Sequence, residues 1–277
     1  MTTIGVLHPG AMGSAVAAAA RAGGARALWA SAGRGPATRE RAEADRLEDV
    51  RTLGRLAAES DVILSVCPPA AALDVAREVA ALGFRRTYVD ANAVSPETSR
   101  TIADVVTAAG ATFVDGGIVG PPARRTGTTR LYLSGNGALS VAVLFDEGPL
   151  EAIVLDAPIG AASALKVAYA GWNKGSQALL IAVRALAMHE GVDAALLAEW
   201  ARSRPDMPKR SEQAIAENAG KAWRFVGEME EIAKTFGAAG LPEGFHQAAA
   251  EVYRRLAGWK DTPTPPSVAE VAKALAP

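Results

Sequence analysis

Short apolar runs alternate with amphipathic, alanine-rich segments along the first 155 residues of the chain. The runs are rich in β-branched residues and end at glycine, proline or a polar residue, which is typical of strands buried in a parallel sheet. Helical segments lie between them, and one starts with the capping sequence Ser95-Pro96-Glu97. This alternation predicts an α/β fold with a doubly wound sheet. The predicted strands are 3–7, 26–29, 61–67, 87–91, 112–116, 131–134 and 152–155, and the predicted helices include 14–22 and 71–82.

The strand signal disappears after Gly160, where an all-α half begins. Residues 160–191 lack proline, are rich in alanine and leucine and end near a glycine, so they predict one long and mostly buried helix. We therefore predict two domains, 1–158 and 159–277, joined by this helix. Shorter helices are predicted at 194–203, 209–219, 223–236, 243–256 and 268–275, with a capping box of Ser267 and Glu270 before the last and an extended connector at 262–266.

Long polar side chains interrupt the apolar surface of the long helix. Lys166, Asn173, Gln177 and Arg184 lie on one line at 100° per residue, whereas Lys174 lies off that line at an expected exposed edge. Two interpretations stay open, a solvated face of the helix or the wall of a site. On the second interpretation, Lys166 near the helix start is a candidate proton donor and acceptor.

The first strand runs into a glycine-rich turn, His8-Pro9-Gly10-Ala11-Met12-Gly13, and then into a helix. Strand, glycine turn and helix in this order are the context of the dinucleotide-binding (Rossmann) fingerprint. Such a turn lets the backbone approach a pyrophosphate, and the helix N-terminus presents its amides to the anion. The first glycine of G-x-G-x-x-G falls at His8, which we interpret as a spacer, and a tight turn without a ligand is the alternative. The predicted cofactor-binding residues of the turn are Gly10, Ala11, Met12 and Gly13.

The choice of cofactor depends on the residues that follow the second strand. NAD-specific folds place an acidic residue there to bind the ribose hydroxyls, whereas this chain has Ser31 and Arg34 and no acid nearby. An arginine favours a 2′-phosphate, so NADP is predicted over NAD, with Arg34 as a plain surface residue as the alternative. Ligands of such sheets bind beyond the carboxyl ends of the strands. Cys67, Pro68 and Asn92 lie at such ends and are further cofactor-binding candidates.

Composition narrows the remaining classes of function. The formal net charge of −1 leaves no basic footprint for nucleic acid, and the single cysteine excludes an internal disulfide and is typical of a reducing compartment. The first twenty residues are uncharged, but they lack a basic segment and His8-Pro9-Gly10 interrupts them. We therefore expect a cytoplasmic protein without a signal peptide or membrane span. The spacings of a metal site and of a Ser-His-Asp triad are missing from the sequence, and His246 is expected to be a satisfied histidine.

Four motifs, in order, resemble the β-hydroxyacid dehydrogenase superfamily, which includes 6-phosphogluconate and 3-hydroxyisobutyrate dehydrogenases. The opening IGVLHPGAMG resembles the family's I-G-F-I-G-L-G-x-M-G, VDANAVSP its x-D-x-x-T-x-x-P turn, and VDGGIVGPPA its D-A-P-V-S-G-G. The helix SALKVAYAGWNKG resembles the family's catalytic helix, with Lys166 at the position of the general acid/base lysine. The forms LHPGAMG, DANAVSP and GEMEEIA are similar to a branch whose C-terminal domain is poorly characterised.

The resemblance implies an NADP(H)-dependent oxidoreductase that moves hydride between nicotinamide and a hydroxyl or carbonyl carbon of a small substrate, such as a β-hydroxy acid. In this interpretation Lys166 is the general acid/base. An imine reductase-like enzyme and a non-catalytic NADP-binding protein are the alternatives. The resemblance also implies a homodimer that interlocks through the all-α half.

The substrate-binding residues are implied by the same resemblance. Gly117, Val119 and Gly120 match the family's substrate loop, although its Ser-Gly-Gly becomes Val119-Gly120-Pro121 here. The family's substrate-binding asparagine falls on Ala170, and Asn173 on the same helical face is the expected replacement. These departures indicate an unusual substrate.

Overall fold

The computed structural model describes residues 1–260, 262 and 264–276. They divide into two compact units, the first formed by residues 1–167 and the second by the described residues from Ala168 onward. The described residues of the first unit form one eight-stranded sheet covered by helices, which confirms the predicted α/β class. The strands are β1 (Thr3–Val6), β2 (Arg26–Trp29), β3 (Glu48–Asp49), β4 (Val62–Ser65), β5 (Thr87–Asp90), β6 (Thr112–Val119), β7 (Thr129–Ser134) and β8 (Leu150–Val154).

The strands follow the order β3-β2-β1-β4-β5-β6-β7-β8, and neighbours are parallel except for the antiparallel pair β6 and β7. Every predicted strand is present, with its bounds shifted by a few residues. The short strand β3 was not predicted because both of its residues are acidic and exposed, so no apolar run marks it.

Both faces of the sheet are buried, which explains why the strands are continuously apolar. In β4, Val62 and Leu64 belong to the hydrophobic cluster on one face and Ile63 to the cluster on the other. The helix start predicted at Ser95-Pro96-Glu97 is confirmed, since the Ser95 hydroxyl accepts a hydrogen bond from the Thr98 amide at 3.1 Å. The helices of this unit are α1 (Ala11–Ala22), α2 (Pro36–Ala44), α3 (Leu53–Glu59), α4 (Ala72–Ala81), α5 (Pro96–Ala108) and α6 (Ala138–Ala142).

The long predicted helix is present as α7 (Ala161–His189). The compact units divide inside it, between residues 167 and 168, whereas the predicted domain boundary precedes it. The capping box of Ser267 and Glu270 is confirmed, and the connector at 262–266 includes Pro263, which lies outside the described residues. The following helices match their predicted bounds to within two residues and are α8 (Asp193–Ser203), α9 (Met207–Asn218), α10 (Ala222–Ala238), α11 (Gly244–Leu256) and α12 (Val268–Leu275).

Most residues of α7 are buried or half-buried, but large apolar side chains stand exposed along one side of it. Their exposed fractions are 51 % for Tyr169, 73 % for Trp172, 64 % for Leu179 and 61 % for Leu186. Successive members of the last three are seven residues apart, which places them on one stripe of the helix surface. We call these four residues the apolar stripe.

Two polar residues of α7 also differ from their sequence-based expectation. Arg184 is buried, and its guanidinium donates to both carboxylate oxygens of Asp193, at 2.7 and 3.0 Å. Lys174 is largely buried rather than at an exposed edge, and its ammonium pairs with Glu228 above the ring of Phe225. Both side chains therefore form ion pairs with acidic residues of the second unit.

Among the described residues, no helix combines the length and the apolar character that a membrane span requires. The His, Cys, Asp and Glu side chains of the same residues form no group of three or more that is suited to hold a metal ion.

Candidate cofactor site and active site

The glycine turn between β1 and α1 has room for a phosphate group. Gly10 caps α1 in an extended conformation, and a Cβ added to it would meet no described atom within 4 Å. A Cβ on Gly13 would collide with the carbonyl oxygen of His8, so the turn needs glycine there. Open space therefore lies beside Gly10, next to the start of α1, where the first amides of the helix, those of Ala11, Met12 and Gly13, have no partner inside the helix. A cofactor pyrophosphate fits this arrangement.

His8 occupies the position of the first glycine of the fingerprint, and its side chain is half-buried. Burial and, secondarily, the positive charge of Arg34 lower the pKa of His8 to about 4, so the imidazole is neutral at pH 7. Nδ1 of His8 and Nε of Arg34 are both buried without a hydrogen-bond partner among the described residues. Unsatisfied buried polar atoms are rare in folded proteins, and a polar ligand nearby is one physical explanation for them.

Three arginines converge on the loops at the carboxyl ends of β1 and β2. Arg34, Arg39 and Arg41 each donate to a backbone carbonyl of these loops, at 3.3, 3.1 and 3.4 Å. Asp49 at the end of β3 accepts a hydrogen bond from the Ser31 amide at 3.2 Å. Sequence reasoning missed Asp49 because it lies on a neighbouring strand, outside the interval where an acid was sought. The positive charges outnumber this carboxylate, so the loops favour an anionic group.

Asn92 joins the carboxyl ends of β4 and β5 and is 2 % exposed. Its Oδ1 accepts a hydrogen bond from the Cys67 amide at 2.5 Å, and its Nδ2 donates to Ser65 Oγ at 3.0 Å and to Asp90 Oδ2 at 2.8 Å. The side-chain amide is thus used within the protein. Its contribution to a cofactor site is to hold the turn that carries Cys67 and Pro68.

Burial changes the protonation of two groups beside Asn92. It raises the pKa of Asp90 to about 7, against the opposing hydrogen bonds from Asn92 and with a further rise from the charge of Asp115. Burial also raises the pKa of Cys67 to about 11. The thiol is therefore protonated at neutral pH and is a poor nucleophile.

Asp115 on β6 has no exposed surface and accepts hydrogen bonds from one strand, β7, and from two helices, α5 and α7. Its Oδ1 accepts from the hydroxyls of Ser99 and Ser163, at 2.8 and 2.5 Å. Its Oδ2 accepts from the Ser134 hydroxyl and from the amides of Gly160 and Ser163, each at 3.0 Å. Asp115 therefore connects β6 to β7, α5 and the start of α7.

Lys166 lies on the second turn of α7 and is half-buried. A Cβ added to Gly117 would lie 3.1 Å from Lys166 Cβ and 2.6 Å from the carbonyl oxygen of Ala162. Only glycine lets β6 and α7 approach this closely. The lysine is thus fixed against the part of β6 that extends past the end of β5.

The predicted substrate loop begins later than expected, because β6 extends through Val119 instead of ending at Gly116. Gly117 and Val119 lie within the strand, and the Val119 side chain is 3 % exposed, so it packs in the core. The loop starts at Gly120, whose φ of +118° requires glycine.

The second unit contains Asn173, the remaining predicted site residue, which is half-buried on α7. Ala170, at the family's asparagine position, is buried. The expectation that His246 is satisfied is wrong, since neither ring nitrogen has a partner among the described residues although the side chain is 8 % exposed. It packs against the ring of Phe236 and against Gly171 of α7.

Residues 3–141 match the family model described as the NAD binding domain of 6-phosphogluconate dehydrogenase. The chain belongs to this family. Together with residues 187–256, which match a domain of unknown function, DUF1932, the match confirms membership in the β-hydroxyacid dehydrogenase superfamily. The first unit is therefore a Rossmann domain that binds a nicotinamide dinucleotide.

Known proteins similar to this member of the family include several without an assigned activity. An uncharacterised 28.5 kDa protein of Methanothermus fervidus is 32 % identical over 138 residues, and the match spans about half of each chain (50 % of this one and 52 % of that one). A conserved hypothetical protein of Sinorhizobium meliloti 1021 is 25 % identical, with a TM-score of 0.72 over 100 % of this chain and 96 % of that chain.

Solved enzymes share the fold at lower identity. The 3-hydroxyisobutyrate dehydrogenase of Mycobacterium tuberculosis, solved with L-serine, is 20 % identical, with a TM-score of 0.71 over 100 % of both chains. Imine reductases and reductive aminases share the fold with TM-scores of 0.54 to 0.56 and 16–18 % identity. These likenesses show that the chain shares its fold with these enzymes.

Proposed function

We propose that the protein is an NADP(H)-dependent oxidoreductase that acts on a hydroxyl or carbonyl carbon of a small substrate, such as a β-hydroxy acid. The supporting observation is the packing of Lys166 against Gly117, on the carboxyl-end extension of β6. The glycine turn and the Asn92 turn follow carboxyl ends of other strands in the same parallel sheet, and ligands of such sheets bind at this edge.

The chain's own contribution to the chemistry is proton transfer and orientation. A bound nicotinamide supplies or accepts the hydride. Lys166 takes the proton of the substrate hydroxyl in oxidation and returns it to the carbonyl oxygen in reduction. Gly117 lets Lys166 pack closely against β6. The loop from Gly120 is our candidate for contacts with a small substrate, and Asn173 is our candidate for a substrate hydrogen bond.

The preference for NADP rests on charge. Arg34, Arg39 and Arg41 surround the ends of β1 and β2, where the adenosine ribose of a dinucleotide lies in Rossmann domains. A 2′-phosphate adds negative charge and acceptor oxygens that guanidinium groups bind well. Arg34 is the residue we expect to contribute most, because its Nε has no partner among the described residues.

The test compares Lys166→Ala with the wild type and with Lys166→Arg, which keeps the charge but not the proton transfer. Oxidation of 3-hydroxyisobutyrate and of L-serine with NADP⁺ is followed by absorbance, and NADPH binding is followed by fluorescence titration. We expect Lys166→Ala and Lys166→Arg to lose turnover while the Kd for NADPH stays within twofold. Retained turnover, or an equal loss of turnover and binding, would contradict the role.

The fold shared with imine reductases supports a second candidate, reduction of a cyclic imine. The presence of Lys166 favours the first candidate, since its role as a base for a hydroxyl has no counterpart in imine reduction. Consumption of NADPH with 2-methyl-1-pyrroline that survives Lys166→Ala would favour the second. NADPH binding without turnover of hydroxy acids, aldehydes or imines would favour a non-catalytic NADP-binding protein.

We also propose that the protein is a homodimer formed through the apolar stripe of α7. Tyr169, Trp172, Leu179 and Leu186 are large and exposed, and such patches usually mark interfaces. The spacing of three and seven residues is that of a helix that packs lengthwise against another helix. A second copy presents the same stripe, so a twofold axis pairs the stripe with itself.

A further inference from the structure

Side chains of β6 and β7 hold two of the first three amides of α7, and the Ala161 amide donates to the Pro158 carbonyl oxygen at 3.1 Å. A helix leaves its first amides without partners inside the helix. Here the Ala162 amide donates to Ser134 Oγ at 3.2 Å, and the Ser163 amide donates to Asp115 Oδ2 at 3.0 Å. The amide of Gly160, just before the helix, donates to the same oxygen.

We propose that Asp115 is a positioning residue for Lys166, acting through the first turn of α7. This inference rests on the proposed role of Lys166 as general acid/base. Ser163, which is bound to Asp115 through both its amide and its hydroxyl, precedes Lys166 by three residues, slightly less than one helical turn. Fixing Ser163 therefore fixes both the height and the rotation of Lys166.

Two residues of β6 on the same face divide the task. Asp115 and Gly117 are two positions apart, so both face α7 from one side of the strand. Asp115 holds the helix end by hydrogen bonds, and Gly117 lets the next turn close onto the strand. Placement errors near 1 Å cost enzymes about a hundredfold in rate, so a loosened helix end would be measurable in turnover.

The donors around Asp115 match a carboxylate, whose oxygens only accept hydrogen bonds. Asp115 accepts five hydrogen bonds and donates none, which uses the acceptor capacity of both oxygens. An asparagine of the same shape keeps its oxygen toward the amides only if its NH₂ group faces the hydroxyls of Ser99 and Ser163, which must then accept instead of donate. All five bonds then lose the contribution of the carboxylate charge. The negative charge also lies at the positive end of the α7 dipole.

The first test compares Asp115→Asn with Asp90→Asn by hydrogen–deuterium exchange of the full-length protein. Asp90 is the matched control, because it is equally buried on the adjacent strand but is bonded to Asn92 and not to α7. We expect faster exchange of residues 160–166 in Asp115→Asn alone. Equal exchange in the two variants would overturn the proposal. Ser134→Ala removes one donor to Asp115 and the acceptor of the Ala162 amide, so it is expected to show a smaller increase in exchange of the same residues. This variant replaces Asp115→Asn in the comparison if Asp115→Asn does not fold.

The second test separates positioning from mere stability. Turnover is expressed per NADPH-binding site, so unfolded protein does not count. We expect Asp115→Asn to lower kcat on the order of ten- to a hundredfold, with KM and the Kd for NADPH within twofold, and to add no further loss in a Lys166→Ala background. An unchanged kcat per binding site, or losses that multiply with Lys166→Ala, would overturn the positioning role. Wild-type turnover by Lys166→Ala itself would instead contradict the proposed function, and the exchange result would still report on the helix end.

Discussion

Asp90 and Asp115 are register partners on the adjacent strands β5 and β6, and neither carboxyl group has exposed surface. Asp115 accepts five hydrogen bonds, whereas the hydrogen bonds of Asp90 come from the amide and side chain of Asn92. Two neighbouring buried carboxylates repel each other, and burial favours the protonated form of a carboxyl group that has few donors. Asp90 therefore titrates near neutrality.

The Asp90 carboxyl group makes the free energy of unfolding depend on pH. Burial first, and then the charge of Asp115, raise the pKa of Asp90 from an ordinary value of 3.8 to about 7. Between these values the folded protein holds a proton that the unfolded chain has released. The stabilisation of the folded state that comes from the raised pKa of Asp90 is therefore complete below about pH 4 and is lost as the pH rises to about 7.

Urea unfolding at several pH values measures this effect against Asp90→Asn, which lacks the titrating group. From pH 5 to 7 we expect the free energy of unfolding of the wild type, relative to Asp90→Asn, to fall by up to about 1.4 kcal/mol per pH unit. Above pH 7.5 the difference is expected to level off. A difference that is constant across this range would show that Asp90 keeps its ordinary pKa.

The cofactor preference is tested at Arg34. We expect Arg34→Ala to weaken NADPH binding on the order of ten- to a hundredfold, because a charge-assisted contact with the 2′-phosphate is lost, and to leave NADH binding within twofold. Fluorescence titration with both cofactors measures the ratio of the two Kd values. Arg55→Ala removes an exposed arginine paired with Glu59 and is the control for lost positive charge. An equal loss for both cofactors would mean that Arg34 holds the loop and does not discriminate.

The apolar stripe predicts the oligomeric state. Replacing Trp172, Leu179 and Leu186 together by glutamine is expected to convert a dimer to a monomer in sedimentation experiments, since the three side chains form the centre of the proposed interface. Leu139→Gln changes an equally exposed leucine of the first unit, 69 % exposed, and is expected to leave the dimer intact. A wild-type protein that sediments as a monomer at micromolar concentration would contradict the proposal.

His246 predicts a stabilising substitution. Its two ring nitrogens are buried without partners among the described residues, and burial lowers its pKa. An unsatisfied buried polar atom costs about 1 kcal/mol or more, so His246→Leu is expected to raise the free energy of unfolding at pH 7 by about 1 kcal/mol. His189→Leu, at an exposed position on α7, is expected to change it little. A clear loss of stability in His246→Leu would show that the imidazole has a hydrogen-bond partner in solution.

Most of the fold follows from local pattern. Continuous apolar runs mark β1 and β4 because both faces of the sheet are covered, and Ser95 and Ser267 mark helix starts because each caps its own helix. The strand β3 was not predicted from the sequence, because its two exposed acidic residues give no apolar run. The antiparallel pairing of β7 was not predicted either, since strand direction is set by tertiary pairing and not by the composition of a run.

The candidate site also has features that follow from local sequence and features that do not. The glycine turn, Arg34 and Lys166 are visible in sequence because each depends on a residue type at a fixed distance from a neighbouring element. The bonds from Asp115 to Ser134 and Ser163 span 19 and 48 positions, so only the assembled sheet brings them together. The burial of Arg184 was likewise mispredicted, because a helical wheel gives the angle between side chains but not which side meets a neighbour.

The number of residues between Ser163 and Lys166 sets the direction in which the Lys166 side chain leaves α7. One residue inserted between them would leave every contact of Asp115 in place and turn all later side chains by about 100°. The lysine would then leave β6. The proton transfer proposed for Lys166 thus depends on a single count of residues, which predicts that relatives with the same activity also keep this spacing.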